Sequence, residues 1–309
     1  MAMSHQGGAD SGAMAGMSTD SMDGMAIRDS AGMQFATFNK YSGWPELKEA
    51  LMAGKIRAAY LLAPMAMDLA DRGIPVRIVA LGHRSGAVIM VKKGSTAKNL
   101  GDLKGKRVAI PSRFAVDHIF VRKMMKKFGL KDGDLTLVVM APPDMPAALY
   151  ANAVDAYATG EPFGALAQRE GYARVLHWTR DEWPKYICCV LVVRQDLINE
   201  DRAMVQRLVN NVLSAGSWLE SDTAHRHIAA ELAAKPAFFN QDPLLLKFVM
   251  DNPRDRVTYG DLRLVQSELD EIMNLALEAK VITHPIPYAT YVDDSFMRNY
   301  RPANINLAR

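Results

Sequence analysis

A chain of 309 residues is long enough for two lobes of ordinary domain size. Hydrophobic residues make up 49% and charged residues 23% of it, an ordinary soluble composition. A net charge of +3 without a dense basic stripe gives nucleic-acid binding no electrostatic support, and no apolar run approaches the roughly 18 residues that span a bilayer.

Residues 1–33 form a separate compositional zone, expected to be a disordered Met/Gly/Ser-rich tail. "SGAMAGMSTDSMDGM" has little periodicity and no aromatic residue, so it buries too little surface to order itself. Its methionines Met14, Met17, Met22 and Met25, with His5, either offer soft ligands suited to Cu(I) or do nothing in a floppy tail. Their spacing is similar to that of methionine-rich tails in periplasmic copper proteins. The start "MAMSHQGGAD" lacks the basic and apolar regions of a signal peptide. Either export information was removed or the protein is cytosolic.

From Met33 the pattern becomes regular. "MQFATFNK" predicts a strand, and "SGWPELKEALMAG" a helix with Ser42 as cap, Pro45 in the first turn and Gly54 at the stop. Strand "IRAAYLL", helix "APMAMDLADRG" and strand "VRIVAL" follow, then strand "AVIMVKKGS". A second unit begins at "NLGDLKGKRVAIPS": strand "RVAI", a helix through "HIFVRKMMKKFG", strand "LTLVVM", helix "DMPAALYAN", strand "VDAYAT", helix "PFGALAQREG" and strand "ARVL". "CCVLVVRQDL" then leads into a helical C-terminal region, where "DRAMVQRLVNNVLSAGSWLES" is amphipathic. Strands alternating with helices argue for an α/β fold with mainly parallel sheets. The basic residues of "VRKMMKKFGLK" read as the solvated face of a helix.

One lobe (34–92 plus 193–309) is interrupted by the other (93–192), so the chain crosses twice, near Lys92 and near Val192. Such a connection favours hinge closure around a ligand, and clefts between lobes are common small-molecule sites. The candidate contacts lie where strands run into helices. Trp44 either walls a pocket or packs in the core. Pro64 and Met65 sit at a second such junction, Met65 as an adaptable apolar wall or as plain packing. Ser112 closes strand "RVAI", with Arg113, Phe114, Asp117 and His118 leading into a helix whose free N–H groups suit an anion; Ser112 also suits a helix cap. In "VDAYATGEPFGALAQREG", Gly160 permits an unusual turn and Glu161 stands near the positive end of the next helix. Glu161 either serves that helix alone or also orders a ligand or a partner side chain. Cys188 and Cys189 read as buried thiols, because adjacent cysteines close a strained ring. No nucleophile–base spacing, phosphate loop or HExxH pattern is visible, so an enzyme and a cofactor are not expected.

Four stretches, "GWPELKEALMAGKIRAAYLLAPMAMDLA", "LGDLKGKRVAIPSRFAVDHIFVRKMMKKFGL", "VVMAPPDMPAALYANAVDAYATGEPFGALAQREG" and "RDEWPKYICCVLVVRQDLI", resemble the periplasmic solute-binding proteins of the nitrate, sulfonate and taurine type (NMT1-like), especially their nitrate/bicarbonate branch. The resemblance implies a two-lobed type II periplasmic-binding-protein fold. It also implies closure on a small solute, delivery to the membrane subunits of an ABC importer, a monomer and a periplasmic location. A cytosolic sensor on the same scaffold is the alternative; an enzyme resembling the thiamine-pyrimidine synthases is less favoured. Nitrate-binding relatives have a histidine at the position matching Asp117, one step before His118, and a lysine matching Cys189. Exchanging an ammonium for a thiol and adding a carboxylate disfavours a bare anion, so the expected ligand is a polar or cationic organic solute. The opening strand and helix of that family have no counterpart before "MQFATFNK".

Overall fold

The computed structural model describes residues 25–28 and 34–305. Met25–Arg28 (β1) pairs antiparallel with Gln34–Phe38 (β2) in a two-stranded sheet, within a unit that ends at Lys40. Two expectations change here. Met25–Arg28, assigned to a structureless tail, gains ladder hydrogen bonds from β2 that composition alone does not reveal. "MQFATFNK", expected to open the first lobe, supplies β2 of this separate sheet. His5, Met14, Met17 and Met22, and the side chain of Met25, lie outside the described residues.

In the unit Tyr41–Arg309, helix α1 (Trp44–Met52) starts behind Gly43 with Pro45 in its first turn. Ser42 sits one residue too early to cap it, and its hydroxyl donates to Glu46 Oε2 (3.1 Å) instead. The chain continues through β3 (Ala58–Leu62), α2 (Ala63–Asp71), β4 (Val76–Ser85), β5 (Ala87–Lys92), β6 (Arg107–Ile110) and α3 (Val116–Lys127). Next come β7 (Thr136–Val139), α4 (Met145–Tyr150), β8 (Ala156–Gly160), α5 (Phe163–Arg169), β9 (Ala173–Trp178) and the short α6 (Thr179–Glu182). After β10 (Ile187–Arg194) come α7 (Gln195–Glu200), α8 (Arg202–Ser221), α9 (Thr223–Ala234), α10 (Pro243–Asp251), β11 (Val257–Thr258) and α11 (Gln266–Glu278).

The strands form a four-stranded sheet, order β11-β4-β10-β3, and a five-stranded sheet, order β7-β6-β8-β5-β9. These two sheets with their helices are the two lobes of the α/β fold. The five-stranded sheet is mixed and the four-stranded sheet pairs antiparallel throughout, rather than mainly parallel. β10 returns from the second sheet and inserts antiparallel between β3 and β4, and β5 enters antiparallel between β8 and β9. Only β6–β7 and β6–β8 pair in parallel among the described strands. The two strands that cross between lobes reverse direction, and sequence order alone does not show where they insert.

Sheet membership also moves the crossings. β5 belongs wholly to the five-stranded sheet and β10 to the four-stranded one. The chain therefore crosses at Ser85–Gly86 and again between β9 and β10, not at Lys92 and Val192. Gly86 has φ +86°, and a Cβ there would lie 3.0 Å from Val257 Cγ2, so both conformation and space call for glycine.

Alternation places the core. Ala87, Ile89 and Val91 of β5 face one large cluster, while Val88 and Met90 face a second with Tyr157, Met145 and Leu149. The large cluster runs on without a break into the four-stranded sheet through Val190, Leu61 and Leu81. Among the described residues no helix is long and apolar enough to cross a membrane.

Candidate functional site

The ends of both sheets converge on one polar cluster. On β10, Cys189 pairs with Leu62 of β3 on one side and with His83 of β4 on the other. The register of β10 against β4 shifts on both sides of Cys189, and such an irregularity re-aims side chains that would otherwise alternate. Here the sulfurs of Cys188 and Cys189 come within 3.9 Å of each other, and with the His83 imidazole their ligand atoms lie within 4.8 Å of one another. From the other lobe, Gly160 at the end of β8 lies beside Cys188: a Cβ built on it would be 3.9 Å from the sulfur. Asp117, in the first turn of α3, is buried among these groups.

Three buried polar atoms here have no hydrogen-bond partner: His83 Nδ1, Asp117 Oδ1 and Tyr186 Oη. Buried polar groups are nearly always satisfied, so three unpartnered atoms close together make this cluster the candidate site. Burial, then the charge of Cys189, pushes the Asp117 carboxyl up to about 7. A hydrogen bond between the sulfurs, assisted by His83, holds Cys189 below the usual thiol range and drives Cys188 well above it. Burial, the largest single influence, disfavours the His83 cation, but Cys189, a backbone contact at Arg84 and the Asp117 carboxylate together outweigh it and raise the pKa. Cys189 is thus the more acidic of the two thiols, and it lies beside an imidazole. The sequence shows no nucleophile–base spacing, but the fold sets a histidine opposite a cysteine.

The other expected site residues take varied places. Trp44 heads α1 and packs against the core with Phe114. Pro64 and Met65 are buried in the first turn of α2, directly after Leu62, the partner of Cys189. Ser112 does not cap α3, whose N-cap is Ala115; its Oγ accepts from the Phe114 amide (3.1 Å) and fixes the turn before the helix. Arg113 is exposed, and its carbonyl meets Nδ1 of buried His118 at 2.8 Å, so that nitrogen carries the proton. Phe114 lies under the Lys48 ammonium at 5.2 Å.

Glu161 is fully engaged by the protein. Its Oε2 accepts from the Ala165 amide (2.8 Å), serving the start of α5, and its Oε1 accepts from Arg256 Nη1 (2.9 Å). Arg256 also donates to Gln168 Oε1 (2.7 Å), its guanidinium 4.7 Å from the Trp178 ring and 5.0 Å from Phe248. Both partners are nearly inaccessible, at 1% and 2% side-chain exposure. The carboxylate at the strand–helix junction therefore both serves the start of its helix and clasps a residue of the segment between α10 and β11.

Sequence reasoning missed His83, Tyr186 and Arg256. His83 is a lone histidine on an apolar strand, and only strand order makes it a neighbour of the cysteines.

The family model described as the NMT1-like family matches residues 13–234. The chain is 24% identical over 252 residues to the nitrate/nitrite binding protein NrtA of Nostoc sp., covering 74% of this chain and 56% of that protein. It is 24% identical over 180 residues to the taurine-binding periplasmic protein of Escherichia coli, covering 58% of this chain and 55% of that one. The chain thus spans about half the length of the curated relatives it matches. The ligand-binding component of an ABC-type import system from Staphylococcus aureus, solved with zinc bound, superposes with TM-score 0.75 at 27% identity, covering 86% of this chain and 88% of that one. The periplasmic nitrate-binding protein of Synechocystis gives TM-score 0.78 at 16% identity over 87% of this chain and 80% of that one, a likeness of fold. With its fold, its order of motifs and most of its length accounted for in this way, the chain belongs to the NMT1-like family.

Proposed function

We propose that this protein binds a small solute at the junction of its two lobes by hinge closure and hands it to an ABC importer, as a binding protein and not an enzyme. The observation that carries this reading is the buried cluster of orphaned polar atoms, His83 Nδ1, Asp117 Oδ1 and Tyr186 Oη, where the two sheets meet. Relatives named for nitrate, taurine and sulfonate binding support the role, and those named as periplasmic support that location. The ligand differs from nitrate. Asp117 and the Cys188–Cys189 pair make the site acidic and soft, whereas a bare anion needs fixed positive charge or free N–H donors. A polar or cationic solute suits it, with the crossings at Ser85–Gly86 and between β9 and β10 as the hinge.

Calorimetry against anions, sulfonates, amines and ureas, paired with solution scattering, tests the proposal. Heat and compaction are expected with a polar or cationic member and none with nitrate. Tight nitrate binding, or silence across the whole panel without compaction, would overturn it.

A further inference from the structure

Cys188, Cys189 and His83 offer two thiols and an imidazole from neighbouring strands, with the ligand atoms within 4.8 Å of one another. We propose that these three residues bind a thiophilic d10 metal ion, Zn(II) or Cu(I), in the cleft. The S···S separation of 3.9 Å matches the roughly 3.8 Å that two thiolates adopt across a tetrahedral ion at Zn–S distances of about 2.3 Å. It also suits a trigonal Cu(I) centre. The register shifts that flank Cys189 are the structural device, because neighbouring residues of a regular strand point to opposite faces and cannot share one ion.

An independent observation points the same way. His83 Nδ1 is buried and has no hydrogen-bond partner, which is costly for a polar atom with no function and natural for a ligand or for the nitrogen beside one. Asp117, with its own orphaned Oδ1, supplies an acidic neighbour that balances a bound cation. Soft sulfur and imidazole together select zinc and copper over calcium or magnesium, which prefer oxygen. Three protein ligands leave a coordination position open, for water or for a donor atom of the solute. That last step deepens the solute-binding proposal and rests on it, whereas the metal site itself does not.

The full reduced chain is titrated anaerobically with Co(II) as a spectroscopic probe, and with Zn(II) and Cu(I) against competing chelators. One equivalent should bind, with a thiolate-to-cobalt charge-transfer absorption, and should protect Cys189 from alkylation. Cys188→Ser, Cys189→Ser and His83→Ala should each weaken binding about tenfold or more, with circular dichroism confirming that they remain folded. If a variant does not fold, alkylation protection in the unaltered chain still decides. Absence of the charge-transfer band, or affinity undiminished in the Cys188→Ser/Cys189→Ser chain, overturns the proposal; the latter would assign the metal to the methionine-rich N-terminal residues. The Zn(II) and Cu(I) titrations tell which ion the site prefers. Metal binding without heat from any organic solute supports this site while counting against the wider solute proposal.

Discussion

His177 makes a different hydrogen bond at each ring nitrogen. Nε2 accepts from the Leu100 amide (3.0 Å), and Nδ1 faces Glu182 Oε1 (3.0 Å). A nitrogen that accepts from a backbone N–H carries no proton, so the ring is held neutral with its proton on Nδ1. Burial lowers its pKa below the ordinary 6.5, against the raising influence of Glu182. The sign follows from linkage. Above about pH 6.5 the ring is neutral folded or unfolded, and its contribution is complete. Below that, the unfolded chain takes a proton that the folded chain refuses, so stability falls with pH until the native ring also protonates. Glutamine can offer the same acceptor and donor without titrating. Thermal midpoints measured from pH 7 downward should drop less steeply for His177→Gln than for the unaltered protein. Parallel curves would remove His177 as a cause.

At the scale of elements, close approach decides where α5 lies. Gly164 in its first turn is so near β5 that a Cβ would stand 2.5 Å from Val88 Cγ2 and 3.0 Å from Glu161 Oε1. Valine has little rotameric freedom on a strand, so the helix itself would have to move. Gly164→Ala should destabilise the protein by about 1–3 kcal/mol, read as a lower denaturation midpoint with unchanged slope. An unchanged midpoint would mean that α5 is free to shift. This proximity was invisible in "GEPFGAL", where Gly160 and Pro162 draw attention and Gly164 reads as a weak helix residue. The strands and helices themselves were legible, because the short apolar run "AVIMV" ahead of the "KKGS" turn and the helical spacing in "DRAMVQRLVNNVL" are local signals. Pairing was not. Nothing within β10 says that it inserts between β3 and β4, and the nearness of His83 to Cys189 follows from that insertion alone. The sequence located the strand–helix junctions and several residues at them, while the partners that define their chemistry arrive from distant parts of the chain.

At the scale of the molecule, the links that tie the C-terminal segment to the five-stranded lobe differ greatly in worth. Lys123–Glu271 and Lys126–Glu278 join α3 to α11 at 2.9 Å, but their side chains are 30–74% exposed, and such pairs contribute about 0–1 kcal/mol each. Glu161–Arg256 is a different object: a buried pair sandwiched by Trp178 and Phe248, which joins the lobe of β8 to the segment that enters β11 in the four-stranded sheet. Removing one partner of a buried pair costs about 3–5 kcal/mol, because the remaining charge is stranded. Opening the lobes offers relief, since it returns Glu161 to water. Arg256→Met keeps an apolar body between the two rings while removing the charge, so it should shift the molecule toward an open form. Solution scattering should report a larger radius of gyration with helical content preserved, whereas Lys123→Ala/Lys126→Ala should leave the radius unchanged. Solute affinity should fall in proportion to the fraction of molecules that remain closure-competent. If Arg256→Met lowers stability with no change in radius, the pair is a structural staple and closure is governed elsewhere, at the crossings themselves.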